Sequence, residues 1–188
     1  RVTILIVTDY YPPDRVGGVG IIAQGLAESY RALGHRVIVL TTGRSTGEPD
    51  VIRGGRSLVM GVLGNNLRAW RLVRREGVSL VHLHQAGTTL FLLGRLFTRR
   101  FPFVLDSLQV SYLSEAREVR TVRVAGRRMA PQPGEWVERF ILAPLHVALD
   151  FIGFALSDAV TAVSDDNRRE LERTYGQLAR QPVATIPN

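Results

Sequence analysis

The chain has 188 residues, 45% of them hydrophobic and 22% charged, and no cysteine. A disordered chain, a collagen, a coiled coil, a disulfide scaffold, a cysteine nucleophile and a zinc–cysteine site are all excluded, and one domain with a real core is expected. The formal charge is +7 and all 24 basic residues are arginine, so an anion site here must use guanidinium forks or backbone amides, never a lysine.

Val2 to Val7 (VTILIV) is an unbroken apolar run, the pattern of a strand buried on both faces of a parallel sheet. A loop from Thr8 to Gly17 follows. Gly18 to Leu33 then shows helical spacing, with Gly34 placed for a left-handed helix end. Val37 to Leu40 completes a right-handed βαβ unit. Val51 to Val62 reads as an irregular strand or hairpin with Gly54 and Gly55, and Asn65 to Glu76 as a helix ending at Gly77. A strand at Leu80–Leu83, a helix at Thr88–Phe97 and a strand at Phe103–Leu105 come next. Glu135 to Leu156 predicts a long helix with a kink at Pro144. A strand at Ala159–Val163, a helix at Asp165–Tyr175 capped by Ser164 or Asp165, and a strand at Val183–Ile186 close the chain. This alternation predicts an α/β fold, a Rossmann-like doubly wound, mainly parallel sheet with helices on both faces. Ser107 to Gly134 breaks the rhythm; at 28 residues it is long for a structureless connection and is expected to be functional or mobile.

In open α/β sheets ligands bind at the carboxyl ends of the strands. That rule gathers Thr8–Gly20, Thr41–Arg44, Leu83–Gly87 and Asp106–Gln109 at one rim, with Ser164–Asp166 beside them. Gly17-Gly18-Val19-Gly20 opens the first helix, where bare N–H groups and the helix dipole suit a phosphate or diphosphate; a turn needing glycine conformations is the alternative. It is not a nicotinamide fingerprint, since no glycine follows Gly20 until Gly25 and the second strand ends without an acidic residue. Without lysine it is not a P-loop.

ILIVTDYYPPDRVGGVG, then LAESYRALGHRVIVLTT, VHLH, DAVTAVSDDNRREL and ATIPN together resemble the N-terminal domain of glycosyltransferase family 4. The resemblance covers nearly the whole chain, through the order and spacing of its motifs. It implies the N-terminal half of a two-domain GT-B fold and a retaining enzyme that moves a hexose from a nucleotide diphosphate sugar. Residues 1–188 would be the acceptor-side domain, the donor-binding C-terminal domain being absent from this chain, and the fragment alone is expected to be inactive. Gly17, Gly18 and Val19 match the loop that faces the donor diphosphate. Where the family often places a histidine after the strand at Phe103–Leu105, this chain reads Asp106-Ser107-Leu108-Gln109; Asp106 and Gln109 are candidates to orient a sugar hydroxyl, Asp106 alternatively a cap. The nucleotide sugar would be a co-substrate; no resident cofactor and no metal is implied.

Of His35, His82, His84 and His146, none shows metal-ligand spacing. His82 and His84 are expected on opposite sides of their strand, with His84, nearer its end, the candidate for the cleft. His35 at a helix end and His146 on an apolar helix read as structural. Asp14 and Arg15, at the tip of the first loop, are acceptor candidates or a solvated tip. Eight arginines lie between Arg95 and Arg128 against Asp106, Glu115 and Glu118, which points to an anionic partner, a membrane surface or a lipid-linked acceptor, or else a solvated loop. Trp136 and Phe140 stand near for interfacial docking. A nucleic-acid partner is disfavoured because only Tyr112 interleaves with Ser107–Gly134, and a flavodoxin-like binding module would explain the sheet but not the motifs. The start Arg1-Val2-Thr3 carries no cleavage signal, and the longest greasy stretch, Phe140–Leu156, is broken by His146 and Asp150. A cytoplasmic location, peripheral on the inner face of the membrane, is expected, and Arg1 in place of an initiator Met suggests a trimmed chain.

Overall fold

The computed structural model describes residues 1–13, 18–44, 47–55, 63–84, 88–98, 100–107, 123–124, 127–128, 143–175 and 183–185. Its centre is β1 (Thr3–Thr8), where Ile4, Leu5, Ile6 and Val7 are each at most 2% exposed. Such burial on both faces needs helices on both sides of a parallel strand, as the apolar run predicts. Helix α1 (Gly18–Ala32) ends at Gly34, whose φ of 82° only glycine adopts without strain, and leads into β2 (Arg36–Thr42). Then come β3 (Val51–Gly54), α2 (Asn65–Arg75) and β4 (Val78–His84). A 3-10 helix (Leu90–Leu96) leads to β5 (Phe103–Ser107). The two-residue strands β6 (Arg123–Val124) and β7 (Arg127–Arg128) form a separate antiparallel ribbon. Helix α3 (Ala143–Leu156), β8 (Ala159–Ala162), α4 (Asp165–Tyr175) and β9 (Val183–Thr185) follow.

The main sheet has seven parallel strands in the order β3-β2-β1-β4-β5-β8-β9. One face packs Ile4, Ile6, Val37 and Val39 on Ala23 and Ala27 of α1. The other packs Leu5, Val7, Val81, Leu83 and Val104 on Ala69 of α2 and on Phe91 and Leu92. Farther along, Val160, Ala162 and Val183 pack with Phe154 of α3 and Leu171 of α4. This is the Rossmann-like doubly wound architecture. The strand order reverses between β1 and β4, so the crevice for a ligand opens there.

Of the strand or hairpin expected over Val51–Val62, the described part is the strand Val51–Gly54, parallel to β2; residues 56–62 lie outside the described residues. Residues 90–96 wind as a 3-10 helix, not an α-helix. Gly94 lies so close to Trp70 that a Cβ there would stand 2.0 Å from the indole, and the start is tied from outside by the Phe91 N–H donating to Asn66 Oδ1 (2.9 Å) and Thr89 Oγ1 donating to the Leu149 carbonyl (2.8 Å). Of the long helix expected over Glu135–Leu156, the described part is Ala143–Leu156, which includes Pro144; residues 135–142, on the other side of the expected kink, lie outside the described residues. At α4, Ser164 is the cap, its Oγ accepting the Asn167 N–H at 3.1 Å, while Asp165 Oδ1 accepts from the Thr185 hydroxyl at 2.7 Å.

Candidate functional site at the strand order reversal

Thr8, the last residue of β1, lies beside His84, the last of β4, and His84 beside Ser107 of β5. The loop leaving β1 is fixed from two sides. Thr42 Oγ1 donates to the Asp9 carbonyl (2.9 Å), and Thr8 Oγ1 donates to the Tyr10 carbonyl (3.1 Å). Arg53, whose side chain is fully buried, donates to the carbonyls of Tyr11 (3.2 Å) and Pro12, lies over the Tyr11 ring and faces Glu48 at 3.7 Å. Arg53 escapes a sequence reading, because one arginine in an apolar strand looks like the solvent side of an edge.

Helix α1 starts at Gly18 with no acidic residue in its first turn. Gly18 is exposed, and a Cβ built on it would meet nothing within 4 Å, so the helix mouth is open on that side. His84 is 5% exposed, and neither ring nitrogen has a hydrogen-bond partner of ordinary geometry among the described residues. Burial lowers its pKa below the usual 6.5, and the nearby Val19 carbonyl offsets part of that. At neutral pH the ring is therefore an uncharged donor–acceptor beside the first turn of α1.

His82 and His84 do not face opposite sides. Their rings lie 6.2 Å apart at 89°, because residues i and i+2 of a strand share a face. His82 is 3% exposed and belongs to a buried chain of side chains beneath the rim. Its Nδ1 is 3.0 Å from the Tyr30 hydroxyl and its Nε2 2.9 Å from Ser107 Oγ; Ser107 Oγ is 2.8 Å from Thr161 Oγ1, which donates to the Asp106 carbonyl at 3.5 Å. One direction satisfies every member: Tyr30 donates to Nδ1, Nε2–H to Ser107, Ser107 to Thr161. Burial, reinforced by His84, lowers His82 to about 4, and burial raises the Tyr30 pKa, so both stay neutral as this pattern requires. The chain ties α1 to β4, β5 and β8.

Asp106 is brought to a different place. It pairs in register with Leu83, one residue before the end of β5, and so projects on the face opposite His84. It is 2% exposed, and a Cβ on Gly153 of α3 would stand 2.8 Å from its Oδ2. His84 and Asp106 are thus separated by the sheet, while Gly18, Val19 and His84 are brought together. Asp14, Arg15, Gly17 and Gln109 lie outside the described residues. Arg95 is held internally: its guanidinium donates to both Asp158 carboxylate oxygens, through Nη1 at 2.9 Å, and to the Leu156 carbonyl at 2.7 Å. Among the described residues no group of three or more histidines and carboxylates could hold a metal ion, and no helix is long and apolar enough to cross a membrane.

A glycine-opened helix meeting a buried polar side chain at the reversal of a parallel sheet is the ligand-binding arrangement of a Rossmann-like α/β domain. The chain belongs to glycosyltransferase family 4, whose family model matches residues 16–188. The fold resembles sucrose-phosphate synthase from Thermosynechococcus elongatus (TM-score 0.65, 15% identity), covering 100% of this chain and 48% of that one. It also resembles an alpha-glucosyltransferase in complex with UDP and a 13-mer DNA (TM-score 0.55, 13% identity), covering 98% of this chain and 42% of that one. The chain thus spans about half the length of these structures or less. No curated protein matches it by sequence.

Proposed function

We propose that this chain is the N-terminal, acceptor-binding domain of a retaining glycosyltransferase that moves a hexose from a nucleotide diphosphate sugar to a saccharide or lipid-linked acceptor. The observation that carries the reading is the open mouth beside Gly18 with the buried His84 ring, next to Val19, at the strand reversal. The amides of Gly17, Gly18 and Val19 receive the diphosphate. As the bond from the anomeric carbon to the diphosphate oxygen breaks, negative charge grows on the leaving group. Fixed N–H dipoles aimed at that charge lower the barrier without reorganising. The acceptor hydroxyl attacks the same face, and its proton passes to the leaving diphosphate. Neutral His84 hydrogen-bonds the donor, and Asp14, Arg15 and Gln109 are the candidates to bind the acceptor. Asp106 has no part in this group, since its carboxylate lies across the sheet. The neighbours are about twice as long, in support of a second domain that supplies the sugar and base contacts.

Titration of the chain with UDP, GDP and ADP, followed by amide chemical shifts, tests this. The Gly18 and Val19 amides are expected to move with at least one nucleotide. His84→Phe is expected to cost about tenfold in affinity, the loss of one hydrogen bond to a charged group, and Gly18→Val to weaken binding by placing a branched side chain in the open mouth. Amides of α1 that stay still with all three nucleotides sink the assignment.

A further inference from the structure

Positive charge is concentrated where apolar side chains are left in solvent. Val51 to Leu105 holds nine arginines and one carboxylate, Glu76, while the rest of the chain holds fifteen arginines and sixteen carboxylates. Glu76 is itself engaged by Arg36 at 2.9 Å. Arg53 is buried, and Arg95 is paired with Asp158. Arg71, Arg74, Arg75 and Arg100 are exposed and meet no carboxylate among the described residues. The same stretch carries Phe97, Leu96, Phe103 and Leu93, exposed by 88%, 66%, 51% and 38%.

These residues share one end of the fold. Trp70 of α2 presses on Gly94, bringing the 3-10 helix against α2. Arg74 lies over the Trp70 ring at 5.6 Å. A cleft of about 580 Å³ lies between Trp70, Arg74, Thr98, Arg100, Phe101 and Phe103. The α2 C-terminus and the N-terminal ends of β4 and β5 meet there, at the opposite end of the strands from the Gly18 rim.

We propose that this face, formed by the end of α2, the 3-10 helix and the start of β5, docks on an anionic lipid bilayer. Guanidinium forks match lipid phosphates, and the cleft between Arg74 and Arg100 admits a phosphate headgroup. Leu96 and Phe97 enter the acyl boundary, as the apolar face of an interfacial element does. A polyanion in water satisfies the arginines but leaves Leu96 and Phe97 exposed, so the pairing of the two features selects the bilayer. The surface overlaps the Arg95–Arg128 segment expected from sequence at Arg100 and adds Arg71, Arg74 and Arg75 of α2, whereas Arg95 is already paired with Asp158. Docking here leaves the Gly18 rim free, so the inference stands apart from the proposed transfer.

Flotation of the chain with phosphatidylcholine vesicles, with and without phosphatidylglycerol, is the test. The chain is expected to float only with phosphatidylglycerol and to be released by salt. Phe97→Ser is expected to lower the partition on the order of tenfold, the value of one buried aromatic side chain. Arg74→Gln with Arg100→Gln is expected to lower it at least as much. Phe97 touches too little for Phe97→Ser to shift the thermal melt, so an unchanged melt separates lost docking from lost folding. No flotation with phosphatidylglycerol overturns the proposal, as does equal flotation of all three proteins. An oligonucleotide that binds as tightly through the same side chains makes this a nucleic-acid surface and overturns it too.

Discussion

His82 shows what a single buried ring does to this protein. Folded, it titrates near 4; unfolded, near 6.5. A histidine whose pKa falls on folding binds its proton more readily in the unfolded chain. Its contribution is complete above pH 6.5 and drains away as pH falls to about 4. The loss is about 3 kcal/mol, from the free-energy equivalent of the shift. His84 is lowered in the same direction and adds to the same window. Urea unfolding between pH 7 and pH 4 is expected to show falling stability, and His82→Asn to remove its share of the slope. A variant with the unaltered slope contradicts the buried, neutral assignment. His84 is the cleft candidate that the VHLH motif offers, and the structure gives His82 partners on both ring nitrogens.

Single elements are joined by polar clamps that no local pattern announces. Asp158, just after α3, accepts from Arg95 of the 3-10 helix and from the Val104 N–H of β5 (2.8 Å), and its own N–H returns to the Val104 carbonyl (2.8 Å). Burial opposes ionisation of its carboxyl, but Arg95 and the Val104 N–H outweigh burial and hold its pKa below the ordinary 3.8. That stabilisation is present above pH 3.8 and lost below it as the carboxyl protonates. Asp158→Ala strands a guanidinium and a backbone N–H at once. The expected cost is about 2 kcal/mol, near the middle of the range for unsatisfied buried donors because the pair is partly exposed. Chemical denaturation checks it, and Arg95→Met with Asp158→Ala is expected to recover part of the loss. A cost within experimental error for Asp158→Ala means that the clamp holds nothing. The neighbouring 3-10 helix makes the same point, since its winding follows its ties to Asn66, Leu149 and Trp70 rather than its own periodicity.

At the scale of the whole molecule, the fold separates two ends of one sheet. The carboxyl ends hold the Gly18 mouth and His84; the amino ends hold the arginine-rich apolar face. On the proposed function, residues 1–188 by themselves are expected to bind nucleotide weakly and to transfer no sugar, because that reading assigns the sugar and base contacts to a second domain. Sugar release and transfer assays on the purified 188-residue chain check this, and any turnover above the uncatalysed rate refutes it. The sequence by itself determined the sheet and its order of elements. Runs such as VTILIV have no polar face to turn to water, and Gly34 and Gly77 stop helices where their positive φ values of 82° and 60° require glycine. It also placed Gly18 at the helix mouth, since a glycine cluster between a strand and a helix is a local signal. Only the tertiary structure decided which side chains meet. Asp106 and His84 sit on opposite faces because of strand pleat and register, Arg53 is consumed by loop carbonyls 41 and 42 residues away, and Arg95 by a carboxylate 63 residues away. Pairings across such distances are set by which strands become neighbours, and a linear pattern of residue types carries no record of that.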